Sequence, residues 1–173
     1  MIIRRYSPAD RDAVLRIHTE AFRRPDDPAG VPPEVGLLVD LIEAGDVVPP
    51  LSLVATRDES PVGHVVGSRA TVGTYSVVAL GPVGVLPEHQ RAGIGLAMMH
   101  AVLAAADAMD VALIALLGST RYYSRFGFVP AAQLGIEAPD RAWGDHFQVR
   151  TLAAYDPQIT GPFRYAQAFD SVS

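Results

Sequence analysis

An apolar strand pattern that runs through two spaced glycines into a long helical pattern is the feature that most limits how this chain can fold. The strand pattern covers residues 75–85, and Gly93 and Gly95 precede the helical pattern. Apolar residues then recur at intervals of three and four, at Leu96, Met99, Leu103 and Ala106. This spacing predicts a helix that packs one apolar face against a sheet.

The start of this predicted helix has the properties of an anion-binding site. The first N–H groups of a helix lack intrahelical acceptors and lie at the positive end of the helix dipole, so they favour an anion. Gly93 and Gly95 lack a Cβ, which lets a pyrophosphate approach the converging N–H groups, and Arg91 adds a positive charge. The sequence therefore predicts a phosphate-binding turn. Close packing of the helix on the sheet is the alternative role for the two glycines.

The strand before this turn is interrupted by Gly81-Pro82. A proline inside a strand cannot donate to the hydrogen-bond ladder, so it predicts a bulge or an edge, and a bulge parts neighbouring strands. Alternate strand residues face the same side, so Val83 and Val85 both offer backbone N–H and C=O groups to whatever fills the gap. The sequence thus predicts an opening in the sheet directly before the phosphate-binding turn.

Two short motifs resemble signatures of a known family. Gln90-x-x-Gly93-x-Gly95 is similar to the Q/R-x-x-G-x-G/A signature of the GNAT superfamily of N-acetyltransferases. The segment from Tyr123 to Phe128 is similar to its second signature, Y-x-x-x-G-F. The predicted helix and an apolar strand pattern at residues 111–117 separate the two motifs, which is the order that the family shows. The chain is therefore identified as a GNAT relative by resemblance.

The resemblance implies the cosubstrate and the residues that bind it. A GNAT enzyme transfers the acetyl group of acetyl-CoA to a primary amine by direct attack in a ternary complex. The pyrophosphate lies in the glycine turn, and the pantetheine arm pairs with the strand beside the gap. The residues that match this binding segment are Val83, Gly84, Val85, Gln90, Arg91, Ala92, Gly93, Ile94, Gly95 and Leu96.

The resemblance also implies that Tyr123 donates a proton to the departing thiolate. A phenol with a pKa near 10 is within about two units of a thiol near 8.5, so the transfer is chemically reasonable. Tyr123 could instead be a core aromatic residue beside Phe126, although Tyr122 fits that packing role better. The general base is not identified, because residues 75–85 and 111–117 contain no acid. A water chain, Glu20 and Glu34 are the alternatives.

The chain pattern predicts an α/β protein with a mixed α+β order, as one domain over residues 1–173. The predicted strands are residues 2–6, 51–57, 62–72, 74–85, 111–117, 147–152 and 161–169, and the predicted helices before the glycine turn are residues 8–22 and 34–44. Loops are predicted at residues 23–31 and 131–146, the latter with Trp143 exposed or lining a cleft. The GNAT resemblance implies a central, mostly antiparallel twisted sheet that is splayed between strands four and five and flanked by helices.

Composition removes several classes of partner. A net charge of -5 without a basic cluster argues against nucleic acid, and no apolar run approaches the roughly 20 residues of a membrane span. Without cysteine there is no disulfide, thiolate metal site or cysteine nucleophile. The five histidines lack the spacing of a helical metal site, so no metal is expected. A cytoplasmic location is expected, and a homodimer through the late strands is left open.

Two other functions remain compatible with the sequence. The missing acid on the central strands suits a noncatalytic acyl-CoA-binding or sensing module on the same fold. A nucleotide-binding domain is the other alternative, but the glycine turn lacks the Lys-Ser/Thr pair of a P-loop. The identity of the acceptor, a small-molecule or peptide amine, has no signal in the sequence.

Overall fold

The computed structural model describes residues 1–172, which form one mixed sheet with helices packed on both of its faces. The helices are α1 (Arg11–Ala21), α2 (Pro33–Ala44), α3 (Ile94–Ala108) and the one-turn α4 (Thr120–Tyr123). The strands are β1 (Ile2–Arg5), β2 (Val47–Arg57), β3 (Ser60–Val72), β4 (Tyr75–Val85), β5 (Leu113–Leu117), β6 (Val129–Pro130), β7 (Ile136–Glu137), β8 (Phe147–Thr151) and β9 (Gly161–Tyr165). The predicted α/β class and element order are confirmed.

The strands follow the order β1-β2-β3-β4-β5-β8-β6, with β9 paired to β3 and to the short β7. Neighbouring strands along that path are antiparallel except β4 and β5, which are parallel. A parallel pair needs a long crossover, and α3 supplies it. The glycine turn at the start of α3 is thereby placed at the carboxyl end of β4.

The predicted bulge lies at Gly81-Pro82. Val65 of β3 pairs with Val83, and Gly67 pairs with Leu80, so two residues of β4 oppose the single Val66 between them. Strand β5, the parallel neighbour of β4, separates from it at the same place. The two strands pair at Val78 with Ile114 and at Ala79 with Ala115, and both pairs come before the bulge. The predicted splay between strands four and five is confirmed, and it opens toward the carboxyl end of β4.

The bulge also changes which residues of β4 face each side. Val78 and Leu80 belong to the cluster packed on α3, and after the extra residue Val83 and Val85 contact that same cluster. Gly84 faces the opposite side, where a Cβ would lie 2.9 Å from Nδ1 of His18 on α1. Therefore α1 packs over the section of β4 that borders the gap.

Helix α3 buries most of its predicted apolar face, with one exception. Met99, Leu103 and Ala106 are buried as predicted, but Leu96 is 43% exposed. Ile94 and Met98, four residues apart, define the buried stripe at this end of the helix, and Leu96 lies midway between them. Leu96 lies in the first turn of α3, where its side chain is largely exposed, so the prediction that it packs on the sheet is wrong.

Three other details differ from the sequence prediction. The helix predicted at residues 8–22 begins as a 3-10 turn, Pro8–Asp10, because the Asp10 carboxylate accepts from the Ser7 N–H and pairs with Arg4. The last strand ends at Tyr165 and a 3-10 turn, Gln167–Val172, follows it. Trp143 is half-buried and packs against Phe147 and Tyr165, with ring centroids 6.0 and 6.2 Å apart.

Within the described residues, no helix is long and apolar enough to cross a membrane.

Candidate active site

The gap beside β4 is lined by backbone groups that the sheet leaves free. The Leu86 N–H donates to the Val62 carbonyl at 2.9 Å, so hydrogen-bonded pairs between β3 and β4 fall at Leu86 and, by alternation, at Gly84. The N–H and C=O groups of Val83 and Val85 therefore point away from β3. Gln90 confirms this direction for Val85, because its Nε2 donates to the Val85 carbonyl at 3.0 Å.

The turn after β4 presents a second set of free N–H groups. Arg91 and Gly93 have left-handed backbone, with φ of 60° and 80°, and α3 starts at Ile94. The Ala97 N–H is the first to find an intrahelical acceptor, the Gly93 carbonyl at 3.0 Å. No side chain of the described residues caps this helix start. A left-handed arginine costs about 1 kcal/mol or more, and such strain concentrates at ligand sites.

Tyr122 reaches this turn from α4. Its hydroxyl lies 3.2 Å from the position that a Cβ on Gly95 would occupy. Its ring packs edge-on against Phe126, with centroids 5.6 Å apart, and the Arg125 guanidinium lies 4.8 Å from the ring centroid. The ring therefore packs as predicted, while the hydroxyl stands at the first turn of α3. That position depends on how α4 docks, and the sequence gives no signal for it.

Tyr123 lies at the end of the same short helix, which begins at the predicted cap, where the Ser119 side chain accepts from the Tyr122 N–H at 3.3 Å. A 3-10 turn, Ser124–Phe126, follows the helix, and the predicted left-handed Gly127 ends that turn with a φ of 81°. The Tyr123 ring packs against Phe128 and the backbone of Gly118. Burial, followed by the adjacent Tyr122, raises the pKa of Tyr123 to about 12. The phenol is therefore protonated at neutral pH and can donate a hydrogen bond.

The candidate bases from the sequence have different surroundings. Glu20 accepts from Arg16 Nε at 2.7 Å, one turn away on the same helix, and is occupied by this ion pair. Oε2 of Glu34, in the first turn of α2, is buried without a hydrogen-bond partner. Neither glutamate lies on β4 or β5.

A buried chain of three polar side chains lies behind β4, and sequence reasoning did not find it. His18 Nε2 is 2.9 Å from His64 Nδ1, and His64 Nε2 is 2.9 Å from Ser52 Oγ. Both histidines are 0% exposed. They are 46 residues apart on α1 and β3, so no local spacing could reveal the pair.

Among the described residues, no group of three or more potential ligands could hold a metal.

A surface groove lies elsewhere on the molecule. It has a volume of about 490 Å³ and its charged lining residues are Asp46, Arg69, Asp110 and Arg164. It lies at the amino end of β4, away from the glycine turn. The gap is the better candidate site, because free backbone donors from β4 and from α3 meet there.

The chain is similar in sequence to known proteins. The sequence model of the acetyltransferase (GNAT) family matches residues 11–128. An uncharacterized N-acetyltransferase, YjhQ, of Escherichia coli strain K12 is 29% identical over 166 residues, which cover 91% of this chain and 88% of that protein.

Solved structures are also similar over nearly the whole chain. The GNAT family N-acetyltransferase YhbS of Escherichia coli, in complex with CoA, is 28% identical with a TM-score of 0.86, covering 98% of this chain and 91% of its own. A GNAT family acetyltransferase of Brucella melitensis, in complex with acetyl-CoA, is 29% identical with a TM-score of 0.78, covering 98% and 97%.

Proposed function

Since the chain belongs to the GNAT acetyltransferase family, we propose that it acetylates a primary amine by direct attack on acetyl-CoA within a ternary complex. One observation carries the proposal: the free backbone N–H groups of Val83 and Val85 on β4 lie next to the free N–H groups at the start of α3. A phosphate-bearing thioester with an extended arm fits this combination. In this proposal residues 1–173 form one catalytic domain, and the acceptor is a small-molecule or peptide amine.

Acetyl-CoA would be held by the two parts of the gap in different ways. The pyrophosphate would take the N–H groups from Arg91 to Leu96, where the helix dipole favours negative charge. The pantetheine arm would pair with the free groups of Val83 and with the Val85 N–H, as an added strand does. Gly84 holds the strand in place by pairing with β3, and Gln90 fixes the turn by its bond to the Val85 carbonyl.

The same backbone groups would polarise the thioester. An N–H of Val83 or Val85 in a preorganised position stabilises the oxyanion that forms when the amine attacks. The role of Tyr123 follows from its raised pKa of about 12. Full proton transfer to a thiolate near pKa 8.5 is unfavourable from such a phenol, so Tyr123 would stabilise the thiolate chiefly by donating a hydrogen bond.

The experiment that tests the function combines binding and turnover. Calorimetry with CoA measures uptake by the purified protein, and release of free CoA from acetyl-CoA is then followed with a panel of primary amines. We expect CoA binding and amine-dependent release, with the acetylated amine identified by mass spectrometry. Absence of CoA binding by the folded protein would contradict the proposal.

A noncatalytic acyl-CoA-binding module is the second candidate, and one observation favours it. The sequence of β4 and β5 contains no acidic side chain to accept a proton from the amine. CoA binding without acetylation of any amine, and without an effect of Tyr123→Phe, would support this candidate.

Replacing each tyrosine by phenylalanine separates their roles. Tyr123→Phe removes the donor to the thiolate, so we expect kcat to fall by about 10- to 100-fold with the KM for acetyl-CoA nearly unchanged. Tyr122→Phe serves as the matched variant, since it removes the neighbouring hydroxyl and keeps the ring. Steady-state kinetics measure both. A larger loss of kcat in Tyr122→Phe than in Tyr123→Phe would contradict the assignment.

The position of the Tyr123 ring can be tested without changing the tyrosine. A Cβ on Gly118 would lie 2.5 Å from the Tyr123 ring, so Gly118→Ala must displace the ring. We expect kcat to fall by about tenfold or more, because small displacements of a catalytic group are costly. Gly36→Ala is the control, since a Cβ there meets nothing within 4 Å. Equal kcat values for the two variants would argue against a catalytic role for Tyr123.

A further inference from the structure

The buried chain of His18, His64 and Ser52 ends at an atom without a partner beside the gap. Nδ1 of His18 is buried and makes no hydrogen bond, and it lies 2.9 Å from the position of a Cβ on Gly84. A buried polar atom without a partner costs about 1–3 kcal/mol, so it calls for a ligand or a function. Gly84 lies between Val83 and Val85, whose free backbone groups line the gap.

The hydrogen-bond pattern fixes which nitrogens carry protons at lowest cost. If His18 Nε2 donates to His64 Nδ1, and His64 Nε2 donates to Ser52, every N–H of the two rings has an acceptor. The opposite direction would leave an N–H of His18 buried without an acceptor. The atom left free is then a lone pair, on His18 Nδ1, that can accept a proton.

We propose that His18 is the general base of the reaction and that His64 and Ser52 carry the proton away from the gap. This inference rests on the proposed function and supplies the base that β4 and β5 lack. The chain runs from α1 to β3 and then to β2, so it leads away from the gap across the neighbouring strands, on the α1 face of the sheet.

The proposed step balances as follows. The ammonium form of the amine loses one proton to His18 Nδ1, and the neutral nitrogen then bonds to the thioester carbon. The Nε2 proton of His18 passes to His64 Nδ1, that of His64 passes to Ser52 Oγ, and Ser52 releases its hydroxyl proton to water. The C–S bond then breaks, and the thiolate leaves with the electron pair, hydrogen-bonded by Tyr123, and takes the second proton of the attacking nitrogen. After the products leave, His18 Nδ1 releases its proton to solvent and Ser52 takes one proton back from water through the chain, so both rings return to their starting tautomers.

The surroundings of the rings explain why a relay is needed. Burial lowers the pKa of His18 to about 4 and that of His64 well below its usual value. Both rings are therefore neutral near pH 7, but neither can hold a positive charge for long. The groups that face the rings are Phe22, Tyr6 and the carboxylate of Asp10, which is paired with Arg4. Passing the proton on avoids a buried imidazolium.

His18→Gln is the variant that tests the base. Its amide keeps a donor toward His64 but removes the free Nδ1. At neutral pH we expect kcat to fall by about 100-fold or more, with CoA affinity within about twofold of wild type. The loss should shrink as pH rises toward the pKa of the amine, because the substrate then deprotonates without a base. A purely structural role for His18 would not produce this recovery.

Two further variants keep the test decisive. Ser52→Ala interrupts the far end of the chain and should lower kcat by about tenfold, with the same recovery at high pH. His100→Gln changes an exposed histidine on α3 and should leave kcat unchanged. A folded His18→Gln protein with wild-type kcat would overturn the proposal. Wild-type kcat in Ser52→Ala would overturn it as well, and this second variant decides the test if His18→Gln fails to fold. Failure of the proposed function is seen separately, as no turnover by the wild type.

Discussion

Gly95→Asp is expected to weaken CoA binding strongly without destabilising the fold. The carboxylate would stand in the first turn of α3, among the N–H groups proposed to take the pyrophosphate, and like charges in contact cost several kcal/mol. We expect the Kd for CoA to rise by about 100-fold or more, which corresponds to about 2.8 kcal/mol. The same carboxylate is favourable at a helix start, where it interacts with the dipole and replaces a glycine. The thermal midpoint should therefore stay constant or rise.

Gly95→Asn is the matched control, because it has nearly the same size and no charge. A Cβ at this position lies 3.2 Å from the Tyr122 hydroxyl, the far end of a side chain that can move aside. We expect Gly95→Asn to weaken CoA binding far less than Gly95→Asp. Calorimetry with CoA and thermal unfolding measure both variants. Equal affinities for the two would show that no anion binds at this turn.

The opening in the sheet was predictable because each of its causes is local in sequence. Pro82 lacks the N–H that the ladder needs, so a bulge follows from the residue type. Gly93 takes a left-handed conformation at the helix start, and the residues after it show a helical period. The bulge and the glycine turn are a few residues apart, and backbone chemistry sets both, so they depend little on tertiary packing.

Other features could not be predicted, because they depend on how distant elements dock. His18 and His64 meet only when α1 lies across β3, and Tyr122 reaches Gly95 only when α4 packs beside α3. Leu96 was misassigned for a related reason. Its spacing to Met99 and Leu103 fits the buried face of the helix, but Leu96 lies in the first turn of α3, and only the docked position of that turn decides whether the sheet covers it.

Stability is expected to fall steeply as the pH is lowered from 6.5 toward 4. The pKa of His18 is lowered from 6.5 to about 4 by burial, so the unfolded chain binds this proton first as the pH falls. Because the unfolded state then binds more protons than the folded state, the free energy of unfolding decreases as the pH decreases. The full effect of His18 is about 3 kcal/mol, present above pH 6.5 and lost by about pH 4. His64 adds to it in the same direction, because burial also lowers its pKa.

Denaturant unfolding at pH 7, 6, 5 and 4.5 measures this loss. Asp10 does not obscure it, because Arg4 lowers the pKa of Asp10 from 3.8 to about 2, and its contribution is lost only below that window. His18→Gln should reduce the slope of the unfolding free energy against pH by the contribution of one proton. His100→Gln should keep the slope of the wild type. An unfolding free energy that stays constant between pH 6.5 and 4.5 would mean that the two rings are not held neutral behind β4. A reduced slope in His18→Gln, together with its reduced turnover, would assign both effects to the same buried ring.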